Sequence, residues 1–124
     1  MKIFFKLTVL ILLFIVFKGT AQAQYTGPNT TDRFYTVKEI KDQASRLDRS
    51  DTMVKLKGFI IKQVNADTYL FKDASDSIHV EIKKKILPTT PFNDKTEIVI
   101  IGEVDYDFLE GTEIEVEKIL FDQP

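Results

Sequence analysis

The chain has 124 residues, a formal net charge of −2 and no cysteine. The length suits one domain rather than two, and the missing thiol excludes a disulfide framework, a thiolate nucleophile, a cysteine zinc site and a lipidated N-terminal cysteine. Lys2, Lys6 and Lys18 all fall within the first 23 residues, which hold no acid, so the other 101 residues carry 14 basic and 19 acidic side chains, a balance of −5 that disfavours a nucleic-acid partner.

Met1, Lys2 and Lys6 precede an almost wholly apolar run from Leu7 to Phe17, and Ala21-Gln22-Ala23 offers the small-x-small pattern of a signal-peptidase site. That run of 11 residues falls short of the roughly 20 that a spanning helix needs. Residues 1–23 are therefore expected to be a cleaved signal peptide, with the protein exported to the periplasm and no stable membrane insertion after cleavage. Residues 24–35, rich in Gly, Pro, Asn and Thr, read as an extended leader, and residues 36–124 as the folded domain.

The domain opens on a capping box, Thr36-Val37-Lys38-Glu39, in which the threonine hydroxyl accepts from the Glu39 amide and the Glu39 side chain reaches back to the amide of Thr36. Tyr35 and Ile40 stand where a hydrophobic staple would place them. Val37, Ile40, Ala44 and Leu47 then recur at spacings of three, four and three, one apolar stripe on a short helix ending near Arg49. From Met53 the period changes to two: Val54, Leu56 and Ile60 alternate with lysines in a first strand bent at Gly58. Asn65 to Asp67 makes a turn, Thr68 to Lys72 a second strand, Asp73 to Ser77 another turn and Ile78 to Ile82 a third strand. Pro88 and Pro91 forbid more than a turn or two of helix in the crossing that follows. Glu97 to Asp105 and Thr112 to Ile119 supply the fourth and fifth strands around Glu110-Gly111.

Five short strands, the first one long and bent, predict a mainly β fold: a five-stranded OB-fold barrel preceded by a short amphipathic helix, since closure removes exposed sheet edges. The segments "VKLKGFIIKQVNADTYLFKDASDSIHVEI", "IVIIGEVD" and "EIEVEKI", with "YTGP" upstream, resemble the bacterial OB-fold (BOF) family of small periplasmic stress-tolerance proteins, the YgiW/YdeI type. Gly58, Tyr69, Phe71, Asp73, Ile78, Val80, Ile82 and Gly102 to Asp105 carry the likeness. Asp76 stands where such proteins usually have glycine, and Ile86-Leu87 where an aromatic, often tryptophan, tends to follow the third strand. The resemblance implies a binding protein that contributes to envelope stress tolerance through a small or cationic ligand or an envelope protein.

Strand parity decides which side chains are available to a ligand. Ile78, Val80 and Ile82 share one face of the third strand and His79 and Glu81 the other, so the histidine is expected on the outside. Asp73 and Asp76 match neither a calcium loop nor a zinc helix, and Ser45, Ser50, Ser75 and Ser77 lack a G-x-S-x-G setting. No catalytic residue, metal site or cofactor is expected. Glu113, Glu115 and Glu117 alternate with Ile114 and Val116 and predict an acidic row, extended by Glu103 and Asp105 if the last two strands form a hairpin. These five are the primary candidates for binding a cationic ligand. The alternative is an oligosaccharide- or nucleotide-binding barrel using Tyr69, Phe71, His79 and Glu81, in which aromatics stack on bases or sugars.

Overall fold

The computed structural model describes residues 33–121. The expected signal peptide and residues 24–32 of the leader lie outside the described residues.

Thr36 caps the first helix, its hydroxyl accepting from the Glu39 amide at 3.1 Å. The reciprocal half of the expected capping box is not made, because the Glu39 carboxylate turns to the Arg33 guanidinium at 2.5 Å and to the Thr36 hydroxyl at 3.4 Å. A cationic partner outcompetes a backbone amide for a carboxylate. The expected single helix is two pieces, α1 (Val37–Asp42) and α2 (Ala44–Arg49), interrupted at Gln43 (φ −118, ψ 18). The apolar stripe survives the interruption, for Val37, Ile40, Ala44 and Leu47 are all buried.

Five strands follow: β1 (Met53–Gln63), β2 (Thr68–Lys72), β3 (Ser77–Glu81), β4 (Ile98–Asp107) and β5 (Gly111–Phe121). They close into a barrel in the order β1-β2-β3-β5-β4, with β4 returning to β1. All neighbours are antiparallel except β3 and β5. Val54, Leu56, Ile60, Phe71, Ile78, Val80, Ile98, Ile100, Val104, Ile114 and Val116 fill the interior with Ile82 and the helix stripe. The crossing from β3 to β4 carries turns and no helix, and its Ile86, Leu87 and Phe92 pack against that core.

Gly58 sits where β1 changes partners: residues 53–58 pair with β4 and those from Phe59 onward pair with β2. A β-carbon there would lie 2.4 Å from the Lys72 carbonyl oxygen and 2.8 Å from Phe71 Cζ. The missing side chain thus lets one strand serve two neighbours while Phe71 fills the space beneath. Gly102 allows a similarly close approach in the β4–β5 hairpin, where a β-carbon would meet the Glu115 carbonyl oxygen at 2.2 Å beside the register shift.

Candidate functional site: an acidic face on three strands

Inward Val80, Ile114, Val116 and Val104 leave the intervening residues of β3, β5 and β4 on the outer surface. Register then fixes the neighbours. Antiparallel pairing sets Asp105 against Glu113 and Glu103 against Glu115, and parallel pairing of β3 with β5 sets His79 against Glu113 and Glu81 against Glu115. Two parallel rows result, His79-Glu113-Asp105 and Glu81-Glu115-Glu103, with directly opposed side chains about 5 Å apart at Cβ. The five primary candidates therefore share one surface, joined by Glu81 and His79 from the alternative set. Glu117 enters differently: the register shifts between Ile101 and Gly102, which pair with Lys118 and Val116, so Glu117 bulges out of the straight row.

Like charges at this spacing repel, and the carboxyl groups register it. Partial burial, then Glu81 and Asp105, push the Glu113 carboxyl above its ordinary value, with Glu115 adding to the effect and His79 opposing it. Partial burial, Glu117, Asp51 and Glu115 push Glu103 the same way. Asp51, just after α2 with φ 51°, thus joins the acidic surface. Among the described residues, no three His, Asp or Glu side chains form a group that could hold a metal ion. What the surface offers is a spread of negative potential rather than a coordination cage.

The two aspartates of the β2–β3 turn do separate work. Asp73 Oδ2 accepts from the Val37 amide at 2.8 Å, and its Oδ1 accepts from the amides of Ser75 and Asp76 and from the Ser75 hydroxyl. Ser75 Oγ accepts from the Lys38 amide at 3.0 Å. The turn therefore caps the exposed amides at the start of α1, groups that have no partner within the helix. Burial opposes ionisation of Asp73, but the bonds from Ser75, Val37 and Asp76 outweigh it and hold the carboxyl below its ordinary value. Asp76 is likewise held low by the Ser77 amide and by Lys41, whose ammonium lies 3.1 Å away.

The aromatic set is not presented to solvent as a stacking surface. Phe71 is fully buried beneath Gly58 and Tyr69 is half-buried against the core. Both share the inward parity of β2, because a barrel this small needs aromatic volume to fill it. His79 and Glu81 are on the outer surface, beside the acids rather than beside the aromatics.

Sequence reasoning missed three features. Lys83 and Lys85 line one cleft together with Glu81, Glu115 and Glu117; a run of three lysines signals charge but not direction. Asp51 lies between the helix and the first strand, where no periodicity marks which way a side chain faces. Phe108 and Leu109 are 86% and 88% exposed at the β4–β5 tip, although nothing in the turn requires apolar residues: Asp107 Oδ1 accepts from the amides of Leu109 and Glu110 and Gly111 supplies the positive φ.

A family model described as "Bacterial OB fold (BOF) protein" matches residues 17–120. The chain is 44% identical over 100 residues to the "Calcium-regulated OB-fold protein CarO" of Pseudomonas aeruginosa, covering 81% of each sequence. The structure of the hypothetical protein ygiW from E. coli superposes with a TM-score of 0.64 at 35% identity, over 82% of this chain and all of that one. Replication protein A of U. maydis bound to ssDNA aligns with a TM-score of 0.50 over 80% of this chain and 77% of that one, at 13% identity, a likeness of fold alone.

Proposed function

Because the chain belongs to the bacterial OB-fold (BOF) family, we propose that it is an exported, non-enzymatic binding protein whose outer β3-β5-β4 face takes a cationic ligand, in the service of envelope stress tolerance. One observation carries the reading: barrel closure sets Glu81, Glu103, Asp105, Glu113 and Glu115 into adjacent positions of one surface, with no lysine in register among them. Solubility alone is served as well by alternating signs, and like charges on neighbouring strands cost stability. A ligand that brings positive charge relieves that cost and gains affinity from it.

The chemistry suits polycationic peptides and divalent cations held by long-range attraction. The phrase "calcium-regulated" belongs to the Pseudomonas relative and makes calcium a natural member of the test set. A phosphate backbone would meet the same surface with repulsion. The apolar signal sequence supports a periplasmic location, where cationic peptides and divalent ions reach the envelope.

Calorimetric titration with a polycationic peptide at low and high salt tests the reading. Binding is expected at low salt, falling steeply as salt rises because exposed charges are screened, and weakened further in the Glu113→Gln, Glu115→Gln double variant. Equal heats for the double variant and the wild-type protein at low salt would overturn it.

A further inference from the structure

The acidic face ends in a cleft of about 320 Å³ lined by Glu81, Glu115 and Glu117 together with Lys83, Lys85, Ile86 and Val116. Lys83 and Lys85 are set by the turn that leaves β3, closed by bonds from the Ile86 amide to the Lys83 carbonyl (2.8 Å) and from the Leu87 amide to the Lys84 carbonyl (3.2 Å). Ile82 before this turn is buried and Ile86 within it packs against the core, so the backbone carrying both lysines is held at two points. Among the described residues, the ion pairs within 4 Å are Arg33–Glu39, Lys38–Asp42, Lys41–Asp76 and Lys57–Glu97. The three acids and two lysines of the cleft are not in that set: charges of both signs line one small cavity without pairing across it.

We propose that this cleft is a subsite for a zwitterion, a molecule of amino-acid to dipeptide size with a protonated amine at one end and a carboxylate or similar anion at the other. The inference rests on the cationic-ligand reading of the acidic face and adds an anionic requirement to it. The amine lies toward Glu81 and Glu115, which the parallel register holds side by side, and toward Glu117. The anion lies toward Lys83 and Lys85. Ile86 and Val116 give the carbon chain between them an apolar contact. A simple cation satisfies only the acidic wall, and a simple anion meets three carboxylates. The volume is at the lower end of small-molecule sites, which excludes a folded partner from the cleft itself.

Alanylalanine in three forms separates charge from shape: the free dipeptide carries both charges, its C-terminal amide only the amine and its N-acetyl derivative only the carboxylate. Amide chemical shifts of the purified, isotope-labelled protein are followed during titration with each. The free dipeptide is expected to move the resonances of residues 81–86 and 115–117 and to bind at least about fivefold more tightly than either capped form. In the Lys83→Gln, Lys85→Gln variant that preference should vanish, leaving the free and amide-capped forms equal, while a polycationic peptide still binds the acidic face. An amide-capped form that binds the wild-type protein as tightly as the free dipeptide, or a free dipeptide that leaves these residues unmoved, overturns the zwitterion subsite. If the dipeptide fails but the polycation binds, only this inference falls; loss of polycation binding to the wild-type protein removes the underlying reading as well.

Discussion

Gly58 and Glu113 show two ways a single residue acts on the stability of the fold. At Gly58 the constraint is steric: a side chain would intrude on the Lys72 carbonyl and on Phe71, both of which belong to the fold. Gly58→Val is expected to lower stability by about 3 kcal/mol, the upper range for overpacking, read as a drop in the urea midpoint; an unchanged midpoint would show that the strand has room there. At Glu113 the effect is electrostatic and opposes stability. Its carboxyl is raised by burial and by Glu81 and Asp105, so the folded state takes up a proton before the unfolded state does. Folding is therefore disfavoured by the charge above the raised value, and that penalty disappears as pH falls through it. Glu113→Gln is expected to raise the urea midpoint at pH 7, with the gain shrinking in high salt and vanishing in acid. A lower midpoint at neutral pH would mean that Glu113 is held by a favourable partner.

The turn between β2 and β3 shows what a short element contributes beyond reversing the chain. Asp73 lies 36 residues after the helix amide it caps, and Ser75 caps the next one, so the turn joins the helix to the barrel. Asp73→Ala is expected to cost about 2 kcal/mol, as loss of a strong helix cap does, and to speed hydrogen exchange at Val37 and Lys38. The lowered carboxyl of Asp73 contributes stability above its ordinary value and loses it as pH falls through the depressed one, opposite in sign to Glu113. The other end of the helix pair is fastened by Asp48, which accepts from the Tyr106 amide at 3.0 Å and ties the β4–β5 hairpin to α2. None of these contacts was legible in sequence, because each joins polar residues distant in the chain and leaves no periodic trace. Period was legible: the alternation at Val54, Leu56 and Ile60, at Ile78, Val80 and Ile82 and at Ile114 and Val116 placed the right side chains inward, and the 3.6-residue stripe placed the helix even though Gln43 divides it.

For the whole molecule, the acidic surface is a product of closure. Reading β5 alone yields the row Glu113, Glu115 and Glu117, and assuming a hairpin adds Glu103 and Asp105. Glu81 and His79 join only because β5, which follows the irregular crossing and β4, returns parallel to β3, a long-range pairing that local patterns do not encode. The bulge that displaces Glu117 is equally hidden, since a one-residue shift of register follows from the close approach at Gly102 rather than from hydropathy. Closure also buries Phe71 and so withdraws the stacking surface that the exposed aromatics of an open sheet would have offered. The barrel thus has a neutral way to be filled and a charged way to be covered, and the function proposed for it lies in the cover. The most direct test is to map where a polycationic peptide lands, by following backbone amide shifts during titration with hexalysine at low salt. The largest changes are expected at Glu81, Glu103, Asp105, Glu113 and Glu115. Changes confined to β1 and β2, or spread evenly over the protein, would contradict an acidic binding face.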